Sequence, residues 1–242
     1  MKRYAVVLGA SGGIGMAISR RLAKEGWSLY LHYNRNADQV FELQAELSAL
    51  YPTSEFKAIQ ANFLSEDGAE KLHALVGHVQ AVIVSSGQAV MKLLTDTSIE
   101  EMEALWRVHM QNPAAFIGLI SPQLRSHDVS YVVFIGSIWG NTGAAGEVMY
   151  SAVKGAQHAF VKAYAKEAAY NGTRVNAIAP GWIETTMNDE FSEEDKQIVI
   201  DQIPLQKTGT PEQVADLVQF LISGNADYMT GEIIKLNGGW YI

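Results

Sequence analysis

The stretch Leu8-Gly9-Ala10-Ser11-Gly12-Gly13-Ile14-Gly15 constrains this chain more than any other. It follows an apolar run, Tyr4–Leu8, and opens a segment of helical periodicity, Ile14–Glu25, so its glycines stand at a strand-to-helix turn. Glycine there lets the chain turn tightly and lets backbone N–H groups approach an anion, while the helix N-terminus offers the positive end of its dipole. With a strand before it, a helix after it and a βαβ unit around it, the pattern reads as a cradle for a dinucleotide pyrophosphate. Gly9, Ser11, Gly13, Ile14 and Gly15 are its expected contacts.

The rest of the chain repeats that alternation. Strands are expected at Tyr4–Leu8, Ser28–Tyr33, Glu55–Gln60, Ala81–Val84, Tyr131–Ile135, Arg174–Ile178 and Ile233–Leu236. Most are continuously apolar, which means burial on both faces and a mainly parallel sheet. Helices are expected at Ile14–Glu25, Ala37–Leu50, Glu66–Val76, Ile99–Arg125, Val148–Asn171 and Pro211–Ser223, the fourth kinked or broken by Pro113 and Pro122. The predicted class is α/β, a single-domain Rossmann-like doubly wound sheet of about seven mainly parallel strands with helices on both faces. A chain of 242 residues still closes around one core. The acidic segment 182–208 is expected either as a lid over a site or as an exposed insertion, with Ser192-Glu193-Glu194-Asp195 starting a helix.

Composition excludes several function classes. Eighteen basic against 26 acidic side chains give a net charge of −8, which argues against nucleic-acid binding. The chain has no cysteine, so a disulfide scaffold, a thiolate metal site and a cysteine nucleophile are excluded. His32, His73, His78, His127 and His158 form no ligand-spaced cluster, and no metal is expected. Met1-Lys2-Arg3 and the apolar run behind it imitate a secretory signal, but the glycines interrupt it. No apolar stretch approaches the roughly 18 residues that cross a bilayer, so no membrane partner and a cytoplasmic location are expected.

An Asp or Glu at the end of the second strand would accept from an unmodified adenosine ribose and repel a 2′-phosphate. This chain reads Leu31-His32-Tyr33-Asn34-Arg35-Asn36 instead. Arg35 can fork onto the 2′-phosphate, so NADP(H) is favoured over NAD(H); otherwise it is an ordinary turn arginine.

Further along, Ile135-Gly136-Ser137 ends a strand, and Tyr150-Ser151-Ala152-Val153-Lys154 starts a helix on which Tyr150 and Lys154 share a face. Together with the glycine loop, these residues identify the chain as resembling the short-chain dehydrogenase/reductase family over its whole length. The family's catalytic Ser, Tyr and Lys match Ser137, Tyr150 and Lys154, and its glycines match Gly9, Gly13 and Gly15. Pro180-Gly181 matches the family's Pro-Gly, and Ile183 and Thr185 fall where the family contacts the nicotinamide carboxamide. The resemblance implies an adenine subsite at Asn62 and Phe63, where aspartate is usual at the first position. It also implies a homo-oligomer, most often a tetramer formed through the long helices.

The chemistry suits these residue types. A ketone accepting hydride develops negative charge on oxygen and needs a proton donor and a hydrogen-bond donor. Tyr150 is the expected acid, with its pKa lowered toward about 7 by Lys154 and an oxidised nicotinamide, a shift of roughly 4 kcal/mol. Ser137 orients the carbonyl, and Lys154 also holds the ribose hydroxyls.

Two departures stand out. The family's Asn-Ala-Gly becomes Ser85-Ser86-Gly87, leaving Ser86 and Gly87 as cofactor contacts, and its relay asparagine becomes His109. His109 either relays protons or is a helix histidine satisfied by a backbone carbonyl. The segments 136–143, 85–89 and 105–109 are similar to the branch that reduces a 5-aminopentanone on a modified lysine of elongation factor P. Such a substrate carries an ammonium, which Glu147 and Glu184 are expected to meet unless they are solvated surface acids. Trp139, Trp182 and Met187 are expected to line the pocket or to pack the core or lid. The alternatives are a 3-oxoacyl-(acyl-carrier-protein) reductase, although an acidic carrier protein favours a basic dock, and an NADP(H)-binding sensor without turnover.

Overall fold

The computed structural model describes residues 2–186 and 191–242. Its strands are β1 (Tyr4–Leu8), β2 (Ser28–Tyr33), β3 (Phe56–Gln60), β4 (Ala81–Val84), β5 (Ser130–Ile135), β6 (Thr173–Pro180) and β7 (Ile233–Leu236). They form one sheet in the order β3-β2-β1-β4-β5-β6-β7, and every neighbouring pair is parallel. This is the predicted Rossmann-like class. The strand edges move by no more than two residues from expectation. The largest change is β6, which runs on to Pro180 because its ladder with β7 continues through Pro180 opposite Leu236.

Side chains alternate between two cores. Ala5 and Val7 of β1, with Val133 and Ile135 of β5, join the layer on one face, and Val6, Leu8, Val132 and Phe134 join the layer on the other. The first layer is covered by α1 (Gly13–Lys24), α2 (Ala37–Leu50) and the last helix. The second is covered by α3 (Gly68–His73), by Val108 in the turn that follows α4 (Ile99–Trp106), by α5 (Asn112–Leu124) and by the long helix that follows β5. A four-residue turn, α6 (Trp139–Thr142), precedes that long helix, α7 (Val148–Ala168). Then come α8 (Glu193–Gln202), capped by Ser192 as expected, and α9 (Pro211–Leu221), held by a Thr210/Gln213 capping box.

Two helical expectations are corrected. The segment Ile99–Arg125 is broken once, by a π turn at Arg107–Gln111 just ahead of Pro113, while α5 runs through Pro122 near its end. The expected helix Glu66–Val76 shortens to Gly68–His73 because Asn112 reaches across and organises its entry. Asn112 Oδ1 accepts from Ala69 N–H at 2.8 Å, and its Nδ2 donates to Phe63 O and Ser65 O, each at 2.9 Å.

Candidate functional site

The chain winds away from β1 in opposite senses on its two sides, so the C-terminal ends of β1 and β4 open a crevice where the strand order reverses. The glycine loop lies at that edge. Gly9 adopts φ +81°, and a Cβ there would stand 2.7 Å from Ser86 Cα; a Cβ on Gly15 would stand 2.1 Å from Gly9 O. A side chain at either position would strike the backbone that forms the loop, so both must be glycine for the turn to close. Ser11 and Ile14 are half-buried beside it. Ser86 Oγ is buried without a hydrogen-bond partner among the described residues. The segment after β6 closes on the same loop: a Cβ on Gly13 would touch Thr185 Cγ2 at 3.2 Å, and Gly181 packs on Asn237 behind Pro180. Ile183 is buried between them.

A residue that sequence reasoning passed over holds the loop in place. His32 Nδ1 accepts from Gly9 N–H at 3.1 Å, and its Nε2 lies 3.0 Å from Ala61 O, which fixes the neutral ring with the proton on Nε2. Phe63 stacks on this ring at 4.5 Å between centroids and is 3% exposed. The ring is therefore core, and the backbone of Phe63 is what remains for a ligand. Asn62 is exposed, with Oδ1 accepting from Leu64 N–H at 2.9 Å. Arg35 is exposed at the end of β2.

On the other side of the crevice, β5 delivers Ser137 and the first turns of α7 deliver Tyr150 and Lys154. Ser137 lies beside Tyr150, close enough to act on its phenol, and its Oγ accepts from Trp139 N–H at 3.2 Å. Lys154 is buried, donates from Nζ to Ile135 O at 2.9 Å, and sits 5.5 Å from the centroid of the Tyr150 ring. Desolvation lowers its pKa to about 7. Desolvation, and then the neighbouring Glu147, raise the Tyr150 phenol well above its usual value, against the opposing effect of Ser137. The lowering of Tyr150 expected from Lys154 is thus not produced by the chain's own groups, because Lys154 is itself desolvated. What the chain supplies at neutral pH is a protonated phenol.

His109 joins this group. Its ring meets Tyr150 edge-on at 5.6 Å and 88°, and a Cβ on Gly87 would strike it at 2.6 Å. Its Nε2 lies 2.8 Å from Gln88 O and 3.1 Å from Gln88 N, while Nδ1 is buried with no hydrogen-bond partner among the described residues. Burial, and then Lys154, lower its pKa to about 3. Its backbone carbonyl accepts from Gln157 Nε2 at 2.8 Å. Gln157 was not singled out from the sequence. The signal was Pro113, four residues after His109, whose missing N–H leaves that carbonyl without its helical donor.

Glu147, half-buried at the N-terminal end of α7, has its carboxyl pushed up by desolvation. Glu184, by contrast, is exposed and accepts from the Thr208 hydroxyl, away from Tyr150 in its contacts. Trp139 packs on two rings that the sequence reading missed, Trp240 at 5.2 Å and Tyr241 at 5.5 Å. Trp182 packs on Phe191 at 4.9 Å, and Met187 lies outside the described residues. Gly209 N donates to Trp182 O and Glu184 N donates to Gly209 O, each at 2.9 Å, pinning the two ends of the segment 182–208 together. Among the described residues, no group of three or more His, Asp or Glu could hold a metal ion, and no helix is long and apolar enough to cross a membrane.

Comparison with known proteins places this geometry. The family profile described as "Enoyl-(Acyl carrier protein) reductase" matches residues 9–241. An uncharacterised oxidoreductase of Bacillus subtilis, YmfI, is 39% identical over 242 residues, covering 100% of both chains. The 3-oxoacyl-(acyl-carrier-protein) reductase FabG of Aquifex aeolicus is 33% identical, covering 99% of this chain and 97% of its own. Among solved structures, the L-sorbose reductase of Gluconobacter frateurii, complexed with NADPH and L-sorbose, superposes with a TM-score of 0.90 at 23% identity, over 99% of this chain and 96% of its own. A Serratia marcescens short-chain dehydrogenase/reductase variant also reaches 0.90, at 21% identity over 98% of this chain and 97% of its own. With its family-wide match, full-length relatives and parallel seven-stranded sheet, the chain belongs to the short-chain dehydrogenase/reductase family of NAD(P)H-dependent oxidoreductases.

Proposed function

We propose that the chain is an NADPH-dependent ketone reductase whose substrate is the 5-aminopentanone group on a modified lysine of elongation factor P. The observation that carries this reading is Glu147: an acid half-buried beside the reacting phenol, close enough to act on its charge, suits a substrate bearing an ammonium. Lys92, whose backbone bridges to Glu147, directs its ammonium to Glu101 instead. Glu184 is the weaker acid for this role, since Thr208 already engages it.

The cradle of Gly9, Ser11, Gly13, Ile14 and Gly15 would hold the pyrophosphate, with Asn62 and the Phe63 backbone toward the adenine and Arg35 toward a 2′-phosphate. Ser86, Gly87, Pro180, Gly181, Ile183 and Thr185 would complete the nicotinamide half. A bound dihydronicotinamide supplies hydride to the carbonyl carbon. Ser137 donates to the carbonyl oxygen and orients it, and Tyr150 delivers its phenolic proton to that oxygen as charge develops. Lys154, cationic below about pH 7, lies near enough to the Tyr150 ring to stabilise the phenolate left behind, and would hold the ribose hydroxyls of a bound cofactor. The described parts of 182–208, which carry Trp182, would serve as a lid, and Trp139 would line the pocket. Two chains pair through the long helices and two pairs build a tetramer; the half-exposed Trp106 and Leu119 on those helices and the open edge of β7 favour this.

The deciding measurement is kcat/KM for NADPH consumption with elongation factor P bearing the aminopentanone, against a 3-oxoacyl thioester. Preference for the thioester would make the chain a fatty-acid-type reductase, the second reading, which its 33% identity to the Aquifex aeolicus enzyme favours. Glu147→Gln is expected to lower kcat/KM on the aminoketone by about tenfold, the size of one desolvated charge pair, and to leave a neutral ketone unchanged. Equal losses on both substrates would remove the ammonium role. Arg35→Ala is expected to raise KM for NADPH by about fivefold to tenfold, modest because the side chain is exposed, with KM for NADH unmoved. A parallel change in both cofactors would assign Arg35 to the turn alone.

A further inference from the structure

Pro113 has no N–H to return to the carbonyl four residues back, and the helix absorbs the defect in the π turn Arg107–Gln111. The carbonyl left over is that of His109. Gln157 of α7 reaches it from across the crevice wall, Nε2 to O at 2.8 Å, from a side chain with 0% exposure. Tyr150, Lys154 and Gln157 are spaced i, i+4 and i+7, so the amide stands on the same face of α7 as the reacting groups.

The amide is a costly choice for that place. Gln157 Oε1 is itself buried with no hydrogen-bond partner among the described residues, so an apolar side chain would fill the position without leaving an orphaned acceptor. What only the amide provides is its bond to His109. That residue is the one whose ring lies edge-on against Tyr150, with Nε2 at the Gln88 backbone. His109 is therefore held at both ends: its ring by Gln88 and its carbonyl by Gln157.

We propose that Gln157 is a positioning residue for the acid of the reaction. By occupying the carbonyl that Pro113 leaves free, it fixes the π turn and presses the His109 imidazole against Tyr150, so the phenol meets Ser137 in a single orientation. Gln157 touches neither substrate nor cofactor. The inference rests on the reading of Tyr150 as proton donor. Lys154, which faces Tyr150 as well as the two buried rings of His109 and His158, reports any loosening, because water entering there would resolvate its ammonium.

The test uses Gln157→Met, which keeps length and volume but has no donor, and Pro113→Ala, which restores an N–H four residues after His109. Gln157→Met is expected to lower kcat for NADPH-dependent ketone reduction by about fivefold to twentyfold, with KM for ketone and NADPH within about twofold, and to shift the alkaline limb of the kcat profile. In the Pro113→Ala background the same change is expected to cost less than about threefold. A wild-type kcat and pH profile in Gln157→Met, a loss that Pro113→Ala does not lift, or a loss falling on KM would overturn the proposal. So would failure of Gln157→Met to fold in both backgrounds by circular dichroism, since Gln157 would then only fill the core. Tyr150→Phe, measured alongside, separates the two readings. If it retains turnover, the assignment of Tyr150 fails. If it loses turnover while Gln157→Met does not, only this inference fails.

Discussion

Tyr150→Phe is expected to lower kcat for ketone reduction by about a thousandfold while KM for the ketone and for NADPH stays within a few-fold, the range general acid catalysis commands. Among the described residues, the phenol is the acid placed for this step. It stands beside Ser137, and desolvation keeps it protonated at neutral pH. Removing one hydroxyl from a half-buried ring costs about 1 kcal/mol in stability, so the variant should fold and bind cofactor normally. The pH profile follows from Lys154. Its pKa of about 7 lies below the ordinary lysine value, so the ammonium is present under acidic conditions and lost as pH rises through about 7. Reduction is therefore expected to decline above that point. Steady-state kinetics from pH 6 to 9 on wild type and Tyr150→Phe check both statements, and a variant with more than a tenth of wild-type kcat would sink the assignment of Tyr150 as acid.

Mild acid is expected to unfold the protein. Burial lowers the pKa of His32 to about 4, of His109 to about 3 and of His158 to about 4, each from 6.5. In the unfolded chain these rings take up protons near pH 6.5, whereas the folded chain refuses them until about pH 4 or below. The unfolded state binds more protons throughout that window, so stability falls as pH drops through it. Each ring contributes on the order of 3 kcal/mol by pH 4, which together rival the whole stability of a typical domain. The Glu147 carboxyl acts in the opposite sense, because its raised pKa lets the folded state take a proton first as pH falls. One group cannot offset three. His32 carries a further consequence: a proton on Nδ1 would aim an N–H at the Gly9 N–H it now accepts from, disturbing the glycine loop before the core gives way. Urea unfolding between pH 7 and 4.5 measures the slope, and NADPH affinity over the same range reads the loop. A flat stability curve would refute the buried neutral rings, and His32→Asn should reduce the slope by roughly a third.

Much of this was legible in local pattern. The glycine loop announced its turn because only glycine tolerates the φ of +81° at Gly9 and the 2.1 Å approach at Gly15. Continuous apolar runs announced a parallel sheet because strands covered on both faces have no polar side to show. The i, i+4 spacing of Tyr150 and Lys154 placed them on one face of α7, and Ser137 at the end of β5 stood where an open sheet presents its ligands. Other features were hidden for a physical reason. Nothing in the sequence around Phe63 shows that its ring stacks on His32 in the core. Trp240 and Tyr241 lie a hundred residues from Trp139, and no periodicity links them.

Strand, turn and helix spacing are properties of a few consecutive residues, so the order of elements, the sheet class and the Ser137, Tyr150 and Lys154 trio could be read along the chain. The partners of buried polar groups could not. His32 between Gly9 and Ala61, Asn112 across the entry to α3, and Gln157 on the His109 carbonyl each join segments dozens of residues apart. A buried donor or acceptor must find a partner wherever packing brings one, and that meeting is decided only when the two faces of the sheet have closed.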